Sequence, residues 1–100
     1  MYIITWKYVT NHRNAQQFEF AYGSSGDWCA LFKQSGHHRG SYLYKSDTTA
    51  YTYFLIDMWD TAEHYEKFKK QHKTKWEELD THFRDLYDQE EKIGTFLSLD

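Results

Sequence analysis

The sequence is poor in several features that would assign it to large classes of protein. Its 100 residues include no proline, five glycines and a single cysteine. One cysteine cannot form an internal disulfide, so the chain is not a small disulfide-stabilised scaffold. The formal net charge is -3, with 12 basic and 15 acidic residues. This balance lacks the basic surface of a nucleic-acid-binding domain, and we expect no nucleic acid partner.

Long apolar runs and export signals are missing as well. No apolar run approaches the roughly 18 residues that a membrane-spanning helix needs. The first ten residues, MYIITWKYVT, lack a basic leader, and polar residues interrupt their apolar positions, unlike a secretory signal peptide. We therefore expect a cytoplasmic protein without a membrane partner.

Aromatic residues, by contrast, are abundant. They make up 20% of the chain, as nine tyrosines, seven phenylalanines and four tryptophans. Large rings fill the core of a small domain, and their flat faces also stack on planar ligands. With 40% hydrophobic and 27% charged residues, the composition is that of a soluble folded protein. We expect one domain over residues 1–100, because this length supports one core.

The apolar pattern predicts four strands and two main helices. Residues 2–9, 40–46, 50–59 and 92–99 are rich in β-branched and aromatic side chains, as strands are. A first helix is predicted over 14–22, with Asn14 as its N-cap. A second is predicted over 61–88, with Asp60 as its N-cap, because apolar residues recur there at steps of three and four.

The resulting order, β-α-β-β-α-β, predicts an α+β ferredoxin-like sandwich. In this fold a four-stranded antiparallel sheet carries both helices on one face. The strand at 50–59 has Phe54, Ile56 and Met58 on one face and mostly aromatic or apolar residues on the other, so the sheet face without helices is apolar and needs a cover. We therefore expect a homodimer formed through the sheet. Asp57 lies on the opposite side of this strand, where we expect it to pair with an Arg or Lys at the sheet edge; the alternative is that it orients a group in a pocket.

Residues 22–40 concentrate chemically reactive side chains between glycines. We interpret Asp27 as the N-cap of a short helix whose Trp28, Leu31 and Phe32 face the core. Cys29 has no neighbouring base in sequence, so we do not expect a nucleophile. Neither the adjacent histidines at 37–38 nor any other pair shows the ligand spacing of a structural zinc site. We predict no metal site, and the absence of a glycine-rich phosphate loop predicts no flavin.

Four segments resemble the antibiotic biosynthesis monooxygenase-like family of dimeric α/β barrels. They read TWKYVT, FEFAYGSSGDWCALFKQSGHHRG, YFLIDMWDTAEHYEKFK and EEKIGTF, and the likeness covers nearly the whole chain. The resemblance implies a cofactor-independent monooxygenase that binds a small aromatic or phenolic molecule between sheet and helices. Such oxygenases favour the substrate's anion and let it transfer an electron to O₂, so no cofactor is implied.

The resemblance also suggests site residues. His72 lies on the apolar stripe of the long helix, so we expect it to face the sheet and accept a phenolic proton. The structural alternative is a core histidine bonded to a tyrosine hydroxyl or a backbone carbonyl. The candidate catalytic residues are His72, Trp59 and Tyr65, and the candidate substrate-binding residues are Trp76, Tyr53, Tyr42 and Trp28.

Two other functions stay open on the sequence. One is a non-catalytic dimeric small-ligand-binding protein of the same fold. The other is haem binding and degradation, which in this superfamily uses a helical histidine, a tryptophan and a strand asparagine. The first strand reads Trp6-Lys7-Tyr8, and no asparagine precedes Asn11. A catalyst is expected to have a cavity that reaches His72 and contains at least two polar groups.

Overall fold

The computed structural model describes residues 1–99 and confirms the predicted order of the main elements. The strands are β1 (Tyr2–Val9), β2 (His38–Lys45), β3 (Thr52–Trp59) and β4 (Gln89–Leu97). The helices are α1 (Ala15–Tyr22), α2 (Asp27–Phe32), α3 (Ala62–Gln71) and α4 (Lys73–Phe83), followed by a 3-10 turn at Arg84–Leu86. None of the helices within residues 1–99 combines the length and apolarity needed to cross a membrane.

The four strands form one antiparallel sheet in the order β2-β3-β1-β4, which is the ferredoxin-like arrangement. Alternate residues of β3, from Tyr53 to Trp59, are buried, and the helices cover this inner face. Trp59, Tyr53, Phe18 and Ile4 are the largest fully buried side chains. The predicted α+β fold class is therefore confirmed, and its core lies between the inner face and the helices.

The face of the sheet away from the helices, here called the outer face, is apolar and exposed. Strand register places Tyr42 opposite Ile56, Tyr44 opposite Phe54, and Ile3 opposite both Met58 and Phe96. Phe96 is 53% exposed and Tyr44 is likewise 53% exposed. The alternation predicted for residues 50–59 is confirmed, and the structure puts Phe54, Ile56 and Met58 on the outer face and Asp57 on the inner face.

The long helix predicted over 61–88 is divided in two. It breaks at His72, whose φ of -114° and ψ of 29° are not helical, and α4 starts at the next residue. The predicted N-cap Asp60 is also wrong. Thr61 caps α3 instead, with its side-chain oxygen accepting a hydrogen bond from the His64 N–H at 3.1 Å. Arg39 instead binds both carboxylate oxygens of Asp60.

The caps predicted for the two shorter helices have different outcomes. Asn14 is the N-cap residue of α1 as predicted, but its side chain makes no capping bond and its amide group donates to the carbonyl of Asp85 at 3.1 Å. Gly26, rather than Asp27, is the residue that precedes α2. Both helices lie where the sequence predicts them.

A bulge in β2 positions the inner face for the site described below. His38 pairs with Trp59 and Gly40 pairs with Met58, so Arg39 is an extra residue in the strand. Gly40 has φ of +132°, a backbone conformation that only glycine adopts readily. Beyond the bulge Ser41 pairs with Asp57, and both side chains point inwards.

Candidate active site

A cavity of about 320 Å³ lies between the inner face of the sheet and the helices. This volume is within the range of small-molecule sites, which measure roughly 300–1,000 Å³. Aromatic rings form most of its wall, and a few polar groups interrupt them. The lining residues are Trp6, Tyr8, Tyr22, Trp28, Cys29, Phe32, Ser41, Leu55, Asp57, Tyr65, Lys69, Trp76, Asp80 and Glu90.

Asp57 is the charged group most deeply set in the cavity wall. It lies in the middle of β3, is only 7% exposed, and accepts a hydrogen bond from the Ser41 hydroxyl at 2.6 Å. Within residues 1–99 no Arg or Lys forms a salt bridge with it, so the predicted ion pair at the sheet edge is wrong. Burial raises the pKa of Asp57 to about 6, against the opposing effect of Ser41 and Trp6.

His38 contacts Ser41 and does not itself line the cavity. Its Nε2 lies 3.0 Å from Oγ of Ser41, and its ring packs against Phe32 and Trp59. Ser41 has one hydroxyl proton and donates it to Asp57, so the Nε2 of His38 is the donor to Ser41. Burial lowers the pKa of His38, which favours a neutral imidazole at pH 7. The three residues thus form one directed chain of hydrogen bonds.

The helices supply the aromatic side of the cavity. Trp76 of α4 meets Trp28 of α2 edge to face at 5.3 Å between ring centroids, and meets Tyr65 of α3 at 5.8 Å. Lys69 places its ammonium group 5.3 Å from the centre of the Trp76 ring. The indole nitrogen of Trp28 is buried and has no hydrogen-bond partner within the described chain. It is a donor that a ligand in the cavity can satisfy.

A second polar group lies at the β1–β4 side. The Tyr8 hydroxyl donates to Oε2 of Glu90 at 2.8 Å, and both residues line the cavity. Burial raises the pKa of Tyr8 above its ordinary value, so Tyr8 is a neutral donor. The cavity therefore has carboxylates on two sides and rings between them.

The structure brings together some of the predicted site residues and separates others. Tyr65, Trp76 and Trp28 line the cavity, and their roles towards a substrate stay predictions. Trp59 is fully buried behind its wall, in contact with Phe32 and Tyr65.

The other predicted strand tyrosines lie elsewhere. Tyr53 is buried on the inner face, but its hydroxyl donates to Glu19 at 2.5 Å, outside the cavity. Tyr42 is 48% exposed and belongs to the outer face. Neither residue therefore contacts a molecule bound in the cavity.

His72 does not reach the cavity. It occupies the junction of α3 and α4, half-buried, where its Nδ1 lies 3.1 Å from the carbonyl oxygen of Phe68. Its ring stacks on that of Phe68 with 4.1 Å between centroids. No histidine lines the cavity in the described part of the chain, so the haem alternative has no histidine ligand there.

The hydrogen-bonded series His38–Ser41–Asp57 was not predicted from the sequence, although one signal for it was present. Tyr53, Leu55 and Trp59 alternate as a buried stripe, and Asp57 is the one charged residue within that stripe. A carboxylate at such a position is expensive to bury and is a candidate functional group. Ser41 and His38 gave no comparable signal, because their role depends on the register across the bulge.

Comparisons with known proteins identify the fold. No family model and no curated protein matches the chain. Among solved structures, a single-residue mutant of SnoaB, a cofactor-independent oxygenase from Streptomyces nogalater, superposes with a TM-score of 0.81 at 15% identity, covering 99% of this chain and 93% of that one. A candidate antibiotic biosynthesis monooxygenase from Deinococcus radiodurans gives a TM-score of 0.76 at 7% identity, covering 100% and 94%.

The fold is that of the antibiotic biosynthesis monooxygenase-like proteins. Other proteins share it. An uncharacterised NIPSNAP domain protein from Burkholderia xenovorans has a TM-score of 0.71 at 13% identity, over 98% of this chain and 94% of that one. Because one fold carries several activities, the function has to be argued from the cavity.

Proposed function

We propose that this protein is a cofactor-independent monooxygenase that oxidises a small phenolic molecule in the cavity, with Asp57 as the proton acceptor. The observation that carries this proposal is a carboxylate, 7% exposed, on the wall of an aromatic cavity. His72 was the expected acceptor from the sequence. Asp57 replaces it because Asp57 lines the cavity and His72 does not.

The properties of Asp57 suit the removal of a phenolic proton. A pKa of about 6 leaves most of the carboxylate charged at pH 7 and makes it a stronger base than an ordinary aspartate. Ser41 donates to Oδ1 of Asp57 at 2.6 Å and Trp6 also lowers the pKa of this carboxyl, so both side chains favour its charged form at the cavity wall. His38 orients the Ser41 hydroxyl in turn.

The aromatic wall supports the ionised substrate. Trp28, Trp76 and Phe32 offer ring faces and edges for a planar molecule. The buried indole N–H of Trp28 is a donor that a phenolate oxygen in the cavity could accept, which would favour the anion. Tyr65 adds a hydroxyl that burial keeps protonated, by raising its pKa.

The proposed reaction is balanced without an added electron donor. Loss of the phenolic proton to Asp57 gives an electron-rich anion that transfers an electron to O₂. An activated methylene of the substrate becomes a carbonyl and retains one oxygen atom. The second oxygen atom leaves as water with the two methylene hydrogens, and Asp57 returns its proton to the phenol. The protein contributes orientation, desolvation and proton transfer.

Oxygen uptake with 1,8-dihydroxyanthrone tests this proposal, since that probe combines phenols with an activated methylene. We expect uptake above the spontaneous rate and a carbonyl product. Asp57→Asn keeps the shape of the side chain and is expected to remove most of the added rate, by ~10²-fold or more. Asp47→Asn, in an exposed turn, is the matched control. Binding of the probe without uptake would support the non-catalytic ligand-binding alternative instead.

We also propose that a second copy of the chain covers the outer face. Tyr42, Tyr44, Phe54, Ile93 and Phe96 expose rings and apolar chains there, and they come from three of the four strands. Contiguous apolar surface of this kind is typical of an interface. An identical outer face carries the same rings, and its Lys7, beside Phe54, stands opposite Glu91 across β1 and β4.

A further inference from the structure

Three side chains with metal-ligating atoms meet on the surface, outside the cavity. His37 precedes β2, Asp60 follows β3, and His64 lies in the first turn of α3. One ligand atom from each of them lies within 4.8 Å of the others. The Nδ1 of His37 is 3.0 Å from Oδ2 of Asp60, and the two imidazole rings stack with 3.5 Å between centroids.

The backbone already holds these residues in place. The N–H of Asp60 donates to the carbonyl of His37 at 2.9 Å, which joins the entry to β2 to the exit of β3. Thr61 accepts the N–H of His64 at 3.1 Å as the N-cap of α3. An ion bound here therefore needs side-chain rotation and no ordering of a loop, which lowers the cost of binding.

We propose that His37, Asp60 and His64 form a binding site for a divalent first-row transition ion such as Zn²⁺. Two imidazoles and a carboxylate suit these ions, whereas Ca²⁺ and Mg²⁺ prefer oxygen ligands alone. The stacked rings rotate apart so that a nitrogen of each reaches the ion, at about 2.0–2.1 Å for zinc. Three protein ligands leave one or more positions for water or an exchangeable ligand.

Arg39 determines how tightly such an ion binds. Its guanidinium holds both oxygens of Asp60, with Nε at 2.5 Å from Oδ1 and a terminal nitrogen at 2.8 Å from Oδ2. The ion has to take at least one of these oxygens and then lies beside a fixed positive charge. Arg39 is therefore a competitor, and its removal is expected to strengthen ion binding although it breaks a salt bridge.

Because the proposed metal site lies outside the cavity, we expect a bound ion to affect the stability of the fold and not ligand binding in the cavity. None of the three ligands lines the cavity. The ion would link the start of β2, the end of β3 and the start of α3. Binding to the folded state alone raises the apparent melting temperature in proportion to the logarithm of free ion concentration. This stabilisation is independent of any oxygenase activity.

Calorimetric titration of the untagged full chain with ZnCl₂ tests the site. We expect one saturable ion per chain, an affinity at least about tenfold weaker in His64→Ala and His37→Ala, and a tighter complex in Arg39→Gln. His12→Ala, which removes an exposed histidine outside the cluster, is the matched control. Absorption spectra with Co²⁺ report whether nitrogen and oxygen ligands surround the ion.

Three results would overturn the proposal: no saturable binding, equal affinity in His64→Ala and the unmodified chain, or equal loss in His12→Ala. Circular dichroism of each variant checks that the fold is retained. His64→Gln provides a second variant that keeps a hydrogen-bonding side chain beside Thr61 but lacks the imidazole. If His64→Gln binds Zn²⁺ as tightly as the unmodified chain, His64 is not a ligand.

Discussion

The hydroxyl of Ser41 lies 2.6 Å from Oδ1 of Asp57, and this contact fixes a buried carboxylate in the wall of the cavity. The two residues are direct partners across β2 and β3, so the sheet itself sets their separation. A hydrogen bond to the charged form favours that form, while burial disfavours it. Burial has the larger effect on the pKa of Asp57, and the carboxylate is therefore a destabilising group retained at a candidate active site.

The first prediction is that Asp57→Asn stabilises the fold at neutral pH. The folded pKa of about 6 exceeds the ordinary value of 3.8, so the folded state binds more protons than the unfolded state between these values. The contribution of Asp57 to stability consequently falls as the pH rises from about 4 to 6 and stays low above that range. The rise of the Asp57 pKa from 3.8 to about 6 corresponds to roughly 3 kcal/mol of unfolding free energy at neutral pH.

Urea unfolding of both proteins from pH 4 to pH 8 measures this effect. Taking the difference between the variants removes the opposing contribution of Asp60, whose pKa is held below its usual range by Arg39. We expect the gain from Asp57→Asn to be largest at pH 7–8 and to shrink towards pH 4. A gain independent of pH would contradict a raised pKa. A loss of stability at pH 7 would contradict the burial penalty altogether.

The second prediction concerns His38 as a positioning residue. Its Nε2–H donates to Ser41, which makes the Ser41 hydroxyl a better donor to Asp57. His38→Ala is expected to raise the pKa of Asp57 further and to move the acidic limb of the pH–rate profile in the same direction. His38→Gln retains an N–H donor and is expected to restore both. Carbon-13 NMR of the Asp57 carboxyl measures the pKa directly.

The control for this experiment is His82→Ala, which removes an exposed histidine on α4. An Asp57 pKa that is the same in His38→Ala, His38→Gln and the control would show that His38 only packs against Phe32 and Trp59. Because the NMR titration needs no substrate, it separates the hydrogen-bond chain from the proposed oxygenase activity.

The fold was predictable because its signals are local. The buried stripe from Tyr53 to Trp59 has the period of a strand, and the residues from Tyr65 to Leu79 have that of a helix. The same helical stripe correctly placed Tyr65 and Trp76 on the cavity side. The break at His72 had no such signal, since neither Gly nor Pro lies there, and it separates His72 from the rings before and after it.

The hydrogen-bonded series His38–Ser41–Asp57 and the proposed metal site could not be predicted in the same way. Ser41 and Asp57 meet only because the bulge at Gly40 sets the register of β2. His37, Asp60 and His64 come from three segments, whereas motif spacing detects ligands on one or two. Sequence reasoning found no metal site for this reason. Tertiary contacts, and not local composition, create both arrangements.

The third prediction is that Phe54→Asp yields a monomer. Phe54 lies on the outer face in the second strand from its edge, opposite Tyr44. If a second copy covers this face, a charge there would be buried without a partner and weaken association by several kcal/mol. Sedimentation equilibrium at micromolar concentration is expected to show a dimer for the unmodified chain and a monomer for this variant.

Phe20→Asp is the matched control for the interface. Phe20 is 68% exposed but lies on α1, on the helical side of the sheet. This variant is expected to remain a dimer. A monomeric unmodified chain, or a dimer that only Phe20→Asp disrupts, would contradict an interface formed by the outer face.

The last prediction separates His72 from catalysis. Its ring stacks on Phe68 and its Nδ1 bonds the Phe68 carbonyl, so it stabilises the junction of α3 and α4. His72→Ala is expected to lower the free energy of unfolding by about 1–2 kcal/mol through lost packing and a lost hydrogen bond. Oxygen uptake per folded molecule is expected to remain unchanged, in contrast to Asp57→Asn. Loss of uptake with unchanged stability would instead restore His72 as the proton acceptor, because its effect would then be chemical and not structural.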